Sequence, residues 1–221
     1  SVEGAENLSR GGPLVVLARH GSQGDALLVA SVLAQAGLRP RFVIKRQLLW
    51  DPCLDLYGHR IPNYFVDRDA HDNQFEIDNV GRLAEGMDPD EALVIFPEGT
   101  RFSMAKLHRA IAILRGTAPE RLEEVSQLQN VLPIRTPGLL AVLRSDTTAD
   151  LVFLNHIGVT DFSSIVDLWR NTPLPSALRF RVERFARDRV PSVDRVDELV
   201  RYLDQCWVGF DRWVAKEEKA I

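Results

Sequence analysis

The sequence predicts a single α/β domain, with a largely parallel or mixed central sheet flanked by helices. Two observations carry that reading. Short continuous apolar runs, PLVVLA at 13–18 and EALVIF at 91–96, have the character of strands buried on both faces. Between such runs lie stretches of helical period, and strands that alternate with helices are most simply joined as a parallel sheet.

The elements follow in order. After PLVVLA and the turn RHGSQ comes GDALLVASVLAQAG, rich in Ala and Leu, with Asp25 near the start of a helix and Gly37 at its C-terminal cap. RFVIK (41–45) and NYFVDR (63–68) read as strands, while Phe75, Ile77, Val80 and Leu83 set a helical period across 72–85. EALVIF ends in PEGTRFS, where proline and glycine stop regular structure. Helices are expected over 106–114 and, more charged, over 120–129; NVLPIRTPG (130–138) reads as a loop made rigid by its prolines. LVFLNHIGV (151–159) and LRFRVERFA (178–186) read as late strands. Val196, Leu199, Val200, Leu203, Trp207, Phe210 and Val214 form one stripe of an amphipathic helix over 193–216. That helix either packs on the core or lies on a membrane or partner, with Trp207 and Trp213 near the interface.

The expected organisation is a flexible lead-in over 1–12, the α/β domain over 13–190 and the amphipathic helix over 191–221, packed on or beside it. Composition narrows the function. With 45% hydrophobic and 26% charged residues the chain is an ordinary globular sequence. A net charge of -4 argues against nucleic acid as the main partner, since such binding needs a concentrated basic surface. Cys53 and Cys206 lie far apart, with neither the spacing of a zinc site nor a disulfide framework. No run reaches the roughly 18 apolar residues that a spanning helix needs, so an anchor, if there is one, is expected in a segment outside this chain.

RHGSQGD (19–25) carries the first chemical signal. His20 falls two residues beyond the first apolar run, at the strand end where α/β sheets bind ligands. An imidazole serves as a base when a partner fixes its other nitrogen, and Asp25 is the candidate, with Gly21 and Gly24 letting the turn close. The nucleophile is then either Ser22 or a hydroxyl of a bound substrate. FPEGTR (96–101) gathers a carboxylate, a glycine, a hydroxyl and a guanidinium in one turn after a strand. Arg101 offers a fork for an anion, and Glu98 is expected to hold that fork or a substrate hydroxyl. Arg68 ends another strand in the same way, and Arg135 sits in an apolar lip. DRDAHD (67–72) reads as a helix-capping loop, no metal is expected, and His59, His108 and His156 read as structural or surface histidines.

The order RHGSQGD, KRQLLWDP with GHRIPNYFVDR, FPEGTR and VLPIRTPG resembles the four blocks of the glycerolipid acyltransferase family, over roughly residues 13–140. The resemblance implies an acyltransferase fold at the cytoplasmic face of a membrane, with a fatty acyl group moving from acyl-coenzyme A or acyl carrier protein to a lysophospholipid or glycerol phosphate. It implies that His20 is the base and Asp25 its partner. It also implies that Arg68, Glu98, Gly99, Thr100 and Arg101 serve the acceptor's glycerol phosphate, with Lys45 a looser match, and that no cofactor is needed beyond the acyl donor. Arg19 stands where many members have asparagine, and Arg135 and Thr136 interrupt the fourth block. Two other classes of function stay open here: a lipid hydrolase using Ser22, and a silent lysophospholipid-binding module.

Overall fold

The computed structural model describes residues 1–22, 24–45, 63–66, 73–158 and 178–219. Seven strands form one sheet in the order β1-β7-β6-β2-β5-β3-β4: β1 (Val2–Glu3), β2 (Leu14–Ala18), β3 (Arg39–Lys45), β4 (Asn63–Val66), β5 (Glu91–Ile95), β6 (Asp150–Ile157) and β7 (Arg179–Phe185). The five strands from β6 to β4 run parallel, whereas β7 is antiparallel to β6 and β1 follows β7. The sheet is therefore mixed, and its middle is β2, buried at every residue between β6 and β5.

Alternation along the strands builds two cores. Leu14, Val16, Ala92, Val94, Val152 and Leu154 face α1 (Asp25–Gln35), which contributes Val29 and Leu33. Val15, Leu17, Leu93, Ile95, Leu151 and Phe153 face the other helices: α2 (Asn73–Arg82), α3 (Met104–Thr117), α4 (Leu122–Val125), α5 (Thr136–Ser145) and α6 (Val196–Glu218). Both faces of the sheet are covered, which explains why its strands read as continuous apolar runs. Gly37 closes α1 at φ +77, with Leu38 N–H returning to Leu33 C=O at 2.9 Å, a backbone turn that favours glycine.

Three local expectations change. Residues 1–12, expected as a flexible lead-in, supply β1 and a short 3-10 turn at the sheet edge, with Leu8 buried. The charged helix expected over 120–129 is a 3-10 turn plus the single turn of α4. Thr136–Ser145, which begins inside the stretch read as a loop, is a helix; Pro137 lies in its first turn, where its missing N–H removes no intrahelical bond. The C-terminal stripe packs on the core, with Trp207 fully buried and Trp213 nearly so, so neither of these two tryptophans faces outward. Among the described residues no helix is long and apolar enough to cross one.

Candidate active site

The register of three neighbouring strands assembles the site. Ala18 of β2 pairs with Leu154 of β6, and Leu17 pairs with Ile95 of β5. Continuing both registers past the strand end brings His20 level with His156 on one side and Glu98 on the other.

His20 is the partly exposed member. Its Nδ1 lies 3.2 Å from Oδ2 of Asp25, and the ring rests on Phe96 with centroids 5.1 Å apart. Asp25 sits in the first turn of α1, fully buried. Its Oδ2 also accepts from the Ser22 N–H at 2.8 Å, and its Oδ1 accepts from the Ser22 hydroxyl. Burial works to raise the Asp25 pKa, yet the bonds from His20 and Ser22 and the attraction of the nearby His156 ring outweigh it, so the carboxyl lies below its usual range. A carboxylate that stays ionised keeps Nδ1–H of His20 pointed at it. That leaves the Nε2 lone pair for an incoming proton.

Glu98 departs from its expected role. Only 1% exposed, it faces the protein and not a ligand: Oε1 accepts from the His20 N–H at 2.7 Å and Oε2 from the Leu132 N–H at 2.8 Å. Phe102 N–H completes the clamp by donating to the His20 carbonyl at 3.1 Å. Glu98 and Phe102 together therefore fix the backbone of the base, and Glu98 ties it to the 130–135 loop.

Burial pushes the Glu98 carboxyl up to about 8, against the pull of the two N–H donors and Arg19. The folded state thus holds this proton more tightly than the unfolded chain. The stability Glu98 contributes is full at low pH and declines as pH rises from the ordinary carboxyl range towards 8. Glu98→Gln, which cannot ionise, is expected to melt below wild type at pH 5, with the gap narrowing by pH 8. Melting curves across that range check it, and a gap that widens with pH counts against it.

The rest of FPEGTR makes an open turn. Gly99 has φ +69, and a Cβ there would stand 2.8 Å from Cδ of Arg135, so the glycine both shapes the turn and lets the Arg135 side chain cross it. Arg135 is anchored by its N–H to Pro97 C=O at 2.9 Å, while its side chain is exposed. Thr100 is held from within, its hydroxyl accepting from Nζ of Lys106 at 3.0 Å, and the same ammonium donates to the Arg101 carbonyl at 2.8 Å. Arg101 is half-buried just ahead of α3, whose first turn is capped by Ser103. The structure thus gathers His20, Asp25, Glu98, Gly99, Thr100 and Arg101 at one edge of the sheet. Arg68, the side chain of Lys45, His59 and the DRDAHD cluster lie outside the described residues.

Two residues matter more than their sequence signals. Arg19, 2% exposed, donates to Oε1 of Glu218 at 3.0 Å, to the His156 carbonyl at 3.4 Å and to the Asn130 carbonyl at 3.3 Å, tying the end of α6 to the strand that carries His20. His156, read as a histidine without an evident partner, lies fully buried with Nε2 3.4 Å from Oδ1 of Asp25. A polar side chain inside the apolar run LVFLNHIGV was its only signal.

No curated protein and no solved structure matches the chain. The acyltransferase family model does, over residues 1–117, a segment that includes the His20–Asp25 pair and all of FPEGTR. With more than half of its length matched and that pair at the end of its central strand, the chain belongs to the acyltransferase family, the family of the glycerolipid acyltransferases.

Proposed function

We propose that the protein moves a fatty acyl group from an acyl thioester, acyl-coenzyme A or acyl carrier protein, to a hydroxyl of a glycerol-phosphate lipid, with 1-acylglycerol-3-phosphate the acceptor that fits best. The observation that carries this reading is the His20 imidazole, partly open to solvent, bonded through Nδ1 to a wholly buried carboxylate. Nε2 of His20 takes the proton of the acceptor hydroxyl as its oxygen attacks the thioester carbonyl. Collapse of the tetrahedral adduct forms the ester and breaks the C–S bond, and the departing thiolate receives the proton from His20. Asp25 stays ionised throughout and steadies the imidazolium.

The acceptor's phosphate belongs at the FPEGTR turn. Arg101 and the exposed Arg135 beside Gly99 supply guanidinium forks there, and α3 begins there with its first N–H groups. Holding the anion orients the hydroxyl towards His20. A membrane surface suits such a substrate. In support, Leu27 and Met104 are half exposed in the first turns of α1 and α3, at the edge of the sheet that carries the site.

The hydrolase alternative loses ground to geometry. Ser22 is 1% exposed and its hydroxyl is spent on Asp25, not aimed at the ring of His20. Assaying labelled acyl thioesters against a panel of lysolipids tests the proposal directly. Arg101→Ala is expected to raise the acceptor KM about tenfold or more with little change in kcat, the scale of one lost charge-assisted bond. Arg135→Ala acts in the same direction. Unchanged acceptor KM in both would remove the phosphate from this turn.

A further inference from the structure

The Asp25 carboxylate is held from two sides, and acyl transfer by His20 uses only one. Oδ2 serves His20 and the Ser22 N–H; Oδ1 receives the Ser22 hydroxyl and faces Nε2 of His156 across 3.4 Å. His156 comes from the end of β6, 0% exposed, and among the described residues its ring nitrogens make no regular hydrogen bond. An imidazole buried with so little polar company costs stability unless it does something for its neighbour.

We propose that His156 is a positioning residue for the acyl transfer: from the side opposite His20 it fixes the rotation of the Asp25 carboxylate, so that Oδ2 stays aligned with Nδ1 of His20 and Nε2 stays free as the base. The proposal rests on His20 being that base. The charged and titratable groups bearing on His156 are Asp25, Arg19 and His20. Burial holds the His156 pKa below the usual imidazole range, with the Arg19 and His20 charges acting in the same direction and Asp25 and the Arg19 backbone against them. In its neutral form, which burial favours, the ring can offer Asp25 an N–H at Nε2, 3.4 Å from Oδ1, without placing a second cation beside the one His20 becomes. Arg19 fixes the other end of this arrangement, since its guanidinium donates to the His156 carbonyl.

The test compares three full-length variants. His156→Gln places an amide N–H near the position of Nε2; His156→Asn carries the same group one methylene short; His156→Phe fills the space with no donor. The Asn and Phe variants are expected to lose about tenfold in kcat, with both KM values within about twofold of wild type, and Gln to recover most of the loss, a modest share of what general base catalysis supplies. In an Asp25→Asn background the same substitutions are expected to cost nothing further. Nitrogen-15 spectra of the His20 ring give a readout that needs no turnover: its Nδ1–H tautomer predominates in wild type and Gln and gives way to a mixture in Asn and Phe. Phe carries the test if the shorter amide does not fold. Wild-type kcat with an unaltered His20 spectrum in the Asn and Phe variants would overturn the proposal, as would equal losses in Gln and Phe. Failure of His20 as the base shows separately, as turnover that survives removal of its ring.

Discussion

Replacing His20 with alanine is expected to lower kcat by about a hundredfold or more, the usual contribution of a positioned general base, while the fold survives. The second half of that expectation follows from how the residue is held. Its backbone is fixed by Glu98 and Phe102 through its N–H and carbonyl, neither of which depends on the ring. Asp25 keeps the Ser22 N–H and hydroxyl after the imidazole is gone, so no bare carboxylate is left inside the protein. Acceptor KM should change little, because the phosphate is gripped at the separate FPEGTR turn. Steady-state kinetics with a thermal melt on the same preparation makes the measurement. A variant with wild-type turnover would move the base elsewhere, and a variant that does not fold would show that the ring itself supports the turn.

What could be read from the sequence here was whatever is local in the chain. The His20–Asp25 pair falls within a single turn, so spacing and two glycines reveal it. β2 and β5 are legible because a strand buried on both faces must be apolar throughout. The task of Glu98 was hidden, because a loop carboxylate looks the same whether it faces a substrate or a backbone N–H. Only the β2–β5 register turns it inward towards His20. His156 was hidden for the same reason, since β6 finds β2 across more than a hundred residues and no local pattern records that pairing. The helix Thr136–Ser145 was missed because Pro137 and Gly138 look like breakers until their place in its first turn is known. The N-terminal residues were too polar to announce a strand, and they form the sheet edge by pairing with β7, near the other end of the chain.

The C-terminal helix packs its apolar stripe on the core and also carries a buried ion pair, which makes Asp204→Ala the substitution expected to cost most in stability. Nε and one terminal nitrogen of Arg121 donate to the two carboxylate oxygens of Asp204 at 2.7 and 2.8 Å, and that nitrogen also donates to the Ile134 carbonyl at 3.0 Å. Both side chains are under a tenth exposed. Burial raises the Asp204 pKa even against the attraction of Arg121, a sign of how costly this site is for charge. Removing the carboxylate strands a guanidinium there, and breaking such a pair from one side typically costs about 3–5 kcal/mol. Many domains have only about 5–15 kcal/mol in all. Urea unfolding should show the loss, and Arg121→Leu with Asp204→Leu should return much of it by replacing the pair with apolar packing. Activity should fall well below the melting temperature too. Arg121 and Trp207 hold the Ile134 and Leu132 carbonyls, three N–H groups of 129–131 rest on Asp211, and Leu132 N–H is one of the two donors that orient Glu98 beneath His20. A shift in that loop reaches the base through a single carboxylate. If Asp204→Ala lost stability while kcat at low temperature stayed at the wild-type value, α6 would brace the fold without governing the site.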